Sequence, residues 1–543
     1  MAEPIDRKAS SLRARLEAME RRGEVIASLI YGPQAMGPLD LDRDLDALAI
    51  ISNFPQGLRY RFSKLNGGYL NALFVDKDLL ELDVSKGALG DFLVDKLSMP
   101  YLPLSNPEYL REKEVEAKGR IVVEILEGLI LEYGRLAEGL VLDRKYFPLA
   151  RIKKRAGLLL QPGSTFAGSS KPAAGFFEGV LEGYDLAIGK LVGSGILRRE
   201  GDLLSISEDF IGRTLSKRPM ARVVNLIEES GKALKAYIAH RRAGLVSPEF
   251  IAREMASKLR EEYQARIEGG FEDPKRYGFF KTSRGLVSLA MEVDLTELIG
   301  GLRPGSEVTM RPLGGVLNDV FLVSAGPEKF VAKKFTDWQS FKWFAINLVA
   351  FGTKQFALSW KARLSNEYAM NRFFNENGIP VPKVLCLSLP KRTLIEEYLA
   401  GETLSDLVGR CSRLGAAGSE EEGAFERLGS WMARVHGAGA CIGDAKPENL
   451  VSSDGEIYFL DLEQSSKGGD RAWDVAEFLY YTGHLIPFEG WFSRLVQAFL
   501  DGYRAHGDER ILKRAGGLSY LKPFALWTPL PTLYGISKAL KAG

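Results

Sequence analysis

The sequence predicts a multidomain α+β protein: an α/β first domain, a mostly helical middle and a two-lobed C-terminal domain. Three observations carry that expectation. The chain has 543 residues, more than one hydrophobic core encloses, and about 100–200 residues per domain gives three or four units. Strand-length apolar runs alternate with helical patterns up to residue 145, and helical patterns dominate from 146 to 295. Beyond that, strands come first and helices follow, so a small β-rich lobe feeds a helical one. The expected domains are therefore 1–145, 146–295 and 296–543.

Composition narrows the function classes. Hydrophobic residues make up 45% and charged residues 26%, the balance of an ordinary globular protein. Lys and Arg total 72 against 70 Asp and Glu, which argues against bulk electrostatic capture of nucleic acid and leaves only local patches. Cys386, Cys411 and Cys441 have no paired spacing, so neither a disulfide framework nor a zinc cluster is expected, and a reducing cytoplasm fits. None of the four histidines sits in an HExxH-like pattern. The N-terminus, MAEPIDRKASSLRARLEAMERRGEV, is charged and helical in pattern, unlike a signal peptide. The most apolar run, Phe344 to Trp360, contains Lys354 and falls short of a membrane span. A cytoplasmic protein with no membrane span is expected.

Along the chain, residues 1–25 read as an amphipathic helix. EVIASLIYG, DALAII and GGYLNALFV read as strands, LLELDV as a fourth, and Glu108 to Leu140 as helix. In the middle, FFEGVLEGYDLAIGKLVGSGIL reads as a helix pair and ILRREGDLLSIS as a hairpin closed at Gly201-Asp202. Helices leading into such a hairpin resemble a winged helix, which implies that Arg198 and Arg199 approach a nucleic-acid backbone. A solvated edge is the plainer reading of both, and of the run from Arg151 to Arg155. After residue 300, strands are expected at TMRPLGG, DVFLVS, KFVAKKF, PKVLCLSL and RTLIEEYL, with a helix at RLSNEYAMNRFFNEN.

Phosphoryl transfer asks for phosphates held in place, a divalent metal and a carboxylate that aligns the attacking hydroxyl. Ile442-Gly-Asp-Ala-Lys-Pro-Glu-Asn449 resembles the HRDxxxxN catalytic loop of protein kinases. The resemblance makes Asp444 the catalytic carboxylate, Lys446 the stabiliser of the transferring group and Asn449 a metal ligand. Twelve residues on, IYFLDLE ends an apolar strand at Asp461, the place of the metal-binding DFG aspartate. Gly314 and Gly315, in Leu313-Gly-Gly-Val-Leu-Asn-Asp-Val-Phe321, lie between two strands as a phosphate-covering loop would. In Phe330-Val-Ala-Lys-Lys-Phe335, Lys333 aligns with the lysine of VAIK, while Lys334, on the opposite strand face, is the alternative. Glu367 is the expected ion-pair partner. His436 and Asp474 resemble the structural histidine and aspartate that brace the catalytic loop.

The resemblance is closest to the small atypical kinases of archaea, the RIO and KEOPS-associated kinases, which share the GD dipeptide and a GIxVPxV segment, here Gly378 to Val384. It covers roughly residues 305–500 and implies ATP and Mg2+ (or Mn2+) as cofactors. Two positions depart from it. Ile442 replaces a histidine, removing a backbone anchor, and Glu463 replaces the DFG glycine, so the metal loop is stiffer or gains a carboxylate. Between the lysine strand and Glu367 lies an aromatic insertion with Trp338, Phe341, Trp343, Phe344 and Phe351, which docks on a neighbouring domain or binds a partner or apolar substrate. The tail LSYLKPFALWTPLPTLYGISKALKAG packs on the kinase or reaches another molecule.

Residues 32–46, Gly-Pro-Gln-Ala-Met-Gly-Pro-Leu-Asp-Leu-Asp-Arg-Asp-Leu-Asp, resemble the GSxAxG…DxD pattern of minimal nucleotidyltransferases of the polymerase-β-like superfamily. Gly32 and Gly37 take the glycine positions; Asp44 and Asp46, two apart on one strand face, would share a metal. Asp83 is the candidate third carboxylate, with Asp76 second. Pro33 replaces the motif serine and removes an N–H donor. The expected whole is a nucleotidyltransferase-like α/β domain, a helical or winged-helix middle and a bilobal protein-kinase-like domain. It transfers the ATP γ-phosphoryl group to a protein serine or threonine. The alternatives are a small-molecule kinase resembling the aminoglycoside and choline phosphotransferases, or a nucleotide-sensing scaffold that binds nucleic acid through its middle.

Overall fold

A computed structural model describes residues 5–20, 23–36, 39–158, 176–216, 272–291, 307–314, 318–336, 359–484, 486–488, 490–526 and 528–542. Gly37, Gly315 and residues 337–358 of the aromatic insertion lie outside these. The chain divides into two compact units, residues 1–132 with 140–279, and residues 133–139 with 280–543.

In the first unit, helix α1 (Ile5–Met19) precedes five strands: β1 (Val25–Tyr31), β2 (Leu45–Ile51), β3 (Leu58–Lys64), β4 (Tyr69–Asp76) and β5 (Tyr101–Ser105). They form one sheet in the order β3-β4-β2-β1-β5, with β2 and β4 parallel and the other pairs antiparallel. The near-continuous apolar runs of β2 and β4 are almost wholly buried, as two-sided strands must be. Strand β3 escaped the sequence because LRYRFSK sits at the sheet edge, where only Leu58 is buried and Arg59, Phe62 and Lys64 are exposed, so no apolar run marks it.

The expected fourth strand, LLELDV, is instead helix α2 (Lys77–Lys86). Asp76 caps its start by accepting from the Asp78 N–H, and Gly87, at φ 58°, closes its end with its own N–H on the Asp83 carbonyl. Leu80, Asp83 and Val84 are its buried residues, a helical rather than a strand spacing. After α3 (Val94–Ser98), α4 (Pro107–Tyr133), β6 (Leu140–Leu142) and α5 (Tyr146–Leu158) comes α6 (Phe176–Gly193), one continuous helix where the sequence suggested two. The hairpin of β7 (Leu197–Glu200) and β8 (Leu203–Ile206) turns at Gly201 (φ 61°) and lies beside β6, with α7 (Glu208–Ser216) following. Arg198 and Arg199 are exposed on β7.

β9 (Gly278–Thr282), which ends in the second unit, and β10 (Gly285–Ser288) precede β11 (Val308–Gly314), β12 (Asn318–Ala325) and β13 (Glu328–Phe335). Helix α8 (Trp360–Glu376) follows, then β14 (Val384–Ser388) and β15 (Thr393–Glu397). The sheet order is β11-β12-β13-β15-β14, antiparallel throughout. Residues 133–139 brace α8: Ser365 donates to the Tyr133 carbonyl and Arg372 to that of Glu138. Gly139 lies so close to Tyr368 that any Cβ there would strike its ring.

Strand β16 (Glu402–Thr403), α9 (Leu404–Leu414) and α10 (Ser419–Gly437) open the helical part. Next come β17 (Ala440–Cys441), the hairpin β18 (Leu450–Ser453) and β19 (Glu456–Phe459), β20 (Ser466–Lys467), α11 (Arg471–Thr482) and α12 (Gly490–Arg504). One apolar core runs from Met370 to Leu540, and Tyr520, Phe524, Leu533, Ile536 and Leu540 place one side of the C-terminal tail within it. Among the described residues no helix is long and apolar enough to cross a membrane.

Helices α10 and α12 cross nearly backbone to backbone. A Cβ at Gly429 would overlap the Phe499 carbonyl, and one at Gly502 the Glu426 carbonyl. Gly429→Ala is therefore expected to lower stability by about 1–3 kcal/mol through overpacking, read by urea denaturation. A variant as stable as the parent would contradict the crossing.

Candidate functional site

Lys333 lies on β13 facing inward, only 8% exposed, while Lys334 points out to solvent. Alternation on the strand decides between them. The Lys333 ammonium donates to Glu367 Oε1 on α8 at 2.5 Å and to the Leu460 carbonyl at 2.5 Å, and lies 3.1 Å from Glu396 Oε2 on β15. Burial disfavours its charge, but Glu367, Glu396 and Asp461 outweigh that and hold its pKa above the usual lysine range. The other oxygen of Glu367 accepts from the Leu462 N–H at 2.7 Å. The pair thus grips the chain on both sides of Asp461.

The loop after β17 is built by acceptors on α11. Asp474 takes the N–H of Ile442 at 2.7 Å and of Gly443 at 2.8 Å, and Glu477 takes that of Ala445 at 2.9 Å. His436, at the end of α10, sits between Asp474 (3.1 Å) and the Tyr503 hydroxyl (2.7 Å). Ile442 supplies no polar side chain, and Asp474 anchors its backbone N–H instead. The β17–β20 ladder pairs Cys441 with Ser466, and Ser465 donates to the Ile442 carbonyl at 2.6 Å, so both ends of residues 442–465 are tied together.

Asp444 and Lys446 pair at 2.7 Å. Against burial, Asp444 and then Glu477 raise the Lys446 pKa. Asn449 donates its amide to the Asp444 carbonyl at 3.0 Å, and its own carbonyl accepts from Leu460 N–H at 2.9 Å. A hydrogen-bonded path therefore runs from Glu367 and Lys333 through Leu460 to Asn449 and Asp444. With its amide nitrogen committed, Asn449 has a side-chain oxygen to offer, and Asp461 has a carboxylate. Two oxygen donors completed by phosphates suit Mg2+. Among the described residues no three His, Cys, Asp or Glu side chains gather as a metal site.

Glu463, two residues beyond Asp461, does not stand free. Asn318 donates to its Oε2 at 2.8 Å and Arg363 lies 3.3 Å away, with all three side chains buried. Burial and then Asp461 push its pKa up to about 7, against Arg363.

Glu396, Glu477, Asn318 and Arg363 were not singled out from sequence. Glu396 shows only as an inward position of TLIEE, and Glu477 only as one turn beyond Asp474 on the same helix face. Gly314 ends β11 beside the register shift with β12.

In the first unit, Gly32 (φ 85°) follows β1, and a Cβ there would lie within 3.8 Å of Asp46. Asp44 accepts from the Tyr69 N–H and Asp46 from the Asn71 amide at 3.0 Å. Burial raises the Asp46 pKa. Asp83 requires correction: on α2 rather than a strand, its carboxylate accepts from the backbone N–H groups of Leu89, Asp91, Leu93 and Val94, which leaves it a loop organiser. Asp76 is likewise committed to the Phe54 and Asp78 N–H groups. The residue registered with Asp46 on β4 is Asn71, so these residues do not fit a three-carboxylate, two-metal centre.

No family model matches the chain. Two curated proteins are similar to part of it. The probable serine/threonine-protein kinase BUD32 homolog of Archaeoglobus fulgidus is 30% identical over 142 residues, 25% of this chain and 64% of that protein. The KEOPS complex subunit Bud32 of Pyrococcus abyssi is 27% identical over 149 residues, 26% of this chain and 63% of that protein. The chain spans a little under two thirds of the length of these curated relatives. Among solved structures, WaaP in complex with acyl carrier protein aligns over 42% of this chain and 89% of its own, at 17% identity and a TM-score of 0.27.

Asp474→Ala strands two buried N–H groups and the His436 ring, and is expected to cost on the order of 3–5 kcal/mol of stability. Thermal and urea denaturation check this, and an unchanged midpoint would contradict the bracing role.

Proposed function

We propose that the second unit is a Mg-ATP-dependent phosphotransferase, specifically an atypical serine/threonine protein kinase that moves the ATP γ-phosphoryl group to a protein hydroxyl. The observation that carries this reading is the buried Lys333–Glu367 pair, hydrogen-bonded to both neighbours of Asp461 and linked through Leu460 to Asn449 and Asp444. Similarity to a protein named a probable serine/threonine-protein kinase BUD32 homolog, and to one named KEOPS complex subunit Bud32, supports it.

In this reading Lys333 and Gly314 hold the α- and β-phosphates. Asp444 accepts or orients the proton of the attacking hydroxyl. Lys446, already paired with Asp444, offsets charge developing on the transferring group. Asn449 and Asp461 would hold Mg2+, which neutralises phosphate charge when bound.

Incubation of the full chain with γ-labelled and, separately, α-labelled ATP tests the proposal. Retained γ-label is expected, lowered about 10²–10⁴-fold by Asp444→Asn with the fold intact by circular dichroism. Retained α-label is not expected, because Asn71 stands where a third carboxylate would complete the first unit's site. Undiminished γ-transfer by Asp444→Asn refutes the assignment.

A further inference from the structure

An ammonium group has three N–H donors; Lys333 gives two of them to Glu367 Oε1 and the Leu460 carbonyl and forms an ion pair with Glu396 Oε2 at 3.1 Å. A phosphate would have to compete with that ion pair for the remaining donor. Two of these acceptors are fixed by other needs. Glu367 also holds the Leu462 N–H, and the Leu460 carbonyl belongs to the chain segment that carries Asp461. Glu396 is different: it is 2% exposed, its Oε1 accepts from no N–H donor among the described residues, and it sits against the Glu367 carboxyl. One buried cation therefore faces two buried carboxylates, one of them half satisfied.

We propose that Glu396 is a positioning residue that competes with the nucleotide for Lys333, so that the ammonium must leave Glu396 before it can grip the phosphates. This rests on the reading of Lys333 as the phosphate-binding lysine. The geometry sets the sign of the effect. Turning Lys333 toward phosphates takes from Glu396 its one counter-ion while leaving it desolvated, a cost charged against nucleotide binding. Replacing Glu396 by an uncharged side chain of similar length removes that cost and leaves Lys333 paired with Glu367. A partner that only stabilised the fold would do the opposite, because its loss would loosen Lys333 and weaken binding.

The test uses the full chain with Glu396→Met and Glu396→Gln. Mg-ATP affinity is measured by calorimetry, KM and kcat by γ-label transfer, and stability by thermal melting. Glu396→Met is expected to lower Kd and KM for Mg-ATP about tenfold, with kcat moving less than KM. Glu396→Gln, which keeps an acceptor oxygen but not the charge, is expected to fall between. Unchanged or weaker Mg-ATP binding by a folded variant overturns the proposal. Should neither variant fold, the parent chain decides: a structure with a non-hydrolysable ATP analogue is expected to show Lys333 parted from Glu396, and a retained contact overturns the competition. Failure of the kinase reading has a separate signature, namely a parent chain that binds no Mg-ATP.

Discussion

A buried ammonium must find carboxylates, because burial takes from it the solvation that offsets its charge. In the second unit that requirement falls on Lys333, and the way it is met organises the surroundings. Glu367 must come from α8, Glu396 from β15, and the Leu460 carbonyl from the segment leading to Asp461. Three elements distant in sequence are thereby drawn to one nitrogen. The bracing of α8 by residues 133–139 serves the same end, since a helix that shifted would strand the ammonium.

The helical part solves a different problem, which is to hold an irregular loop without secondary structure of its own. Backbone N–H groups at 442, 443 and 445 cannot be left unpaired in the interior, and Asp474 and Glu477, neighbours on one face of α11, take all three. Asp474 is in turn steadied by His436, whose helix is pressed against α12 at Gly429 and Gly502. Glycine at these two positions is a condition of that closeness. Packing at the crossing thus reaches Asp444 through His436, Asp474 and the loop backbone.

Much of this was legible in the sequence because the informative signals are local. GDAKPEN and FLDLE compress the loop and the proposed metal-binding position into short stretches, and the gapless match of FVAKKF to VAIK singles out one of two adjacent lysines. What escaped depends on contacts across the chain. Glu396 gains meaning only when β15 pairs with β13, and Arg363 and Asn318 only when α8 and β12 meet at Glu463. Asp83 misled for the opposite reason. LLELDV has the apolar density of a strand, yet Asp76 caps it and Gly87 terminates it as a helix, so the carboxylate ends among loop N–H groups. The aromatic insertion and Gly315 lie outside the described residues.

The central claim is that Asn449, Asp461 and Lys333 face one metal-bound triphosphate. Crystals of the full chain grown with Mn2+ and a non-hydrolysable ATP analogue, measured for anomalous scattering, address it directly. A manganese peak in contact with Asn449 Oδ1 and the Asp461 carboxylate is expected, with Lys333 on the phosphates. A nucleotide bound elsewhere, or manganese away from both side chains, would contradict it.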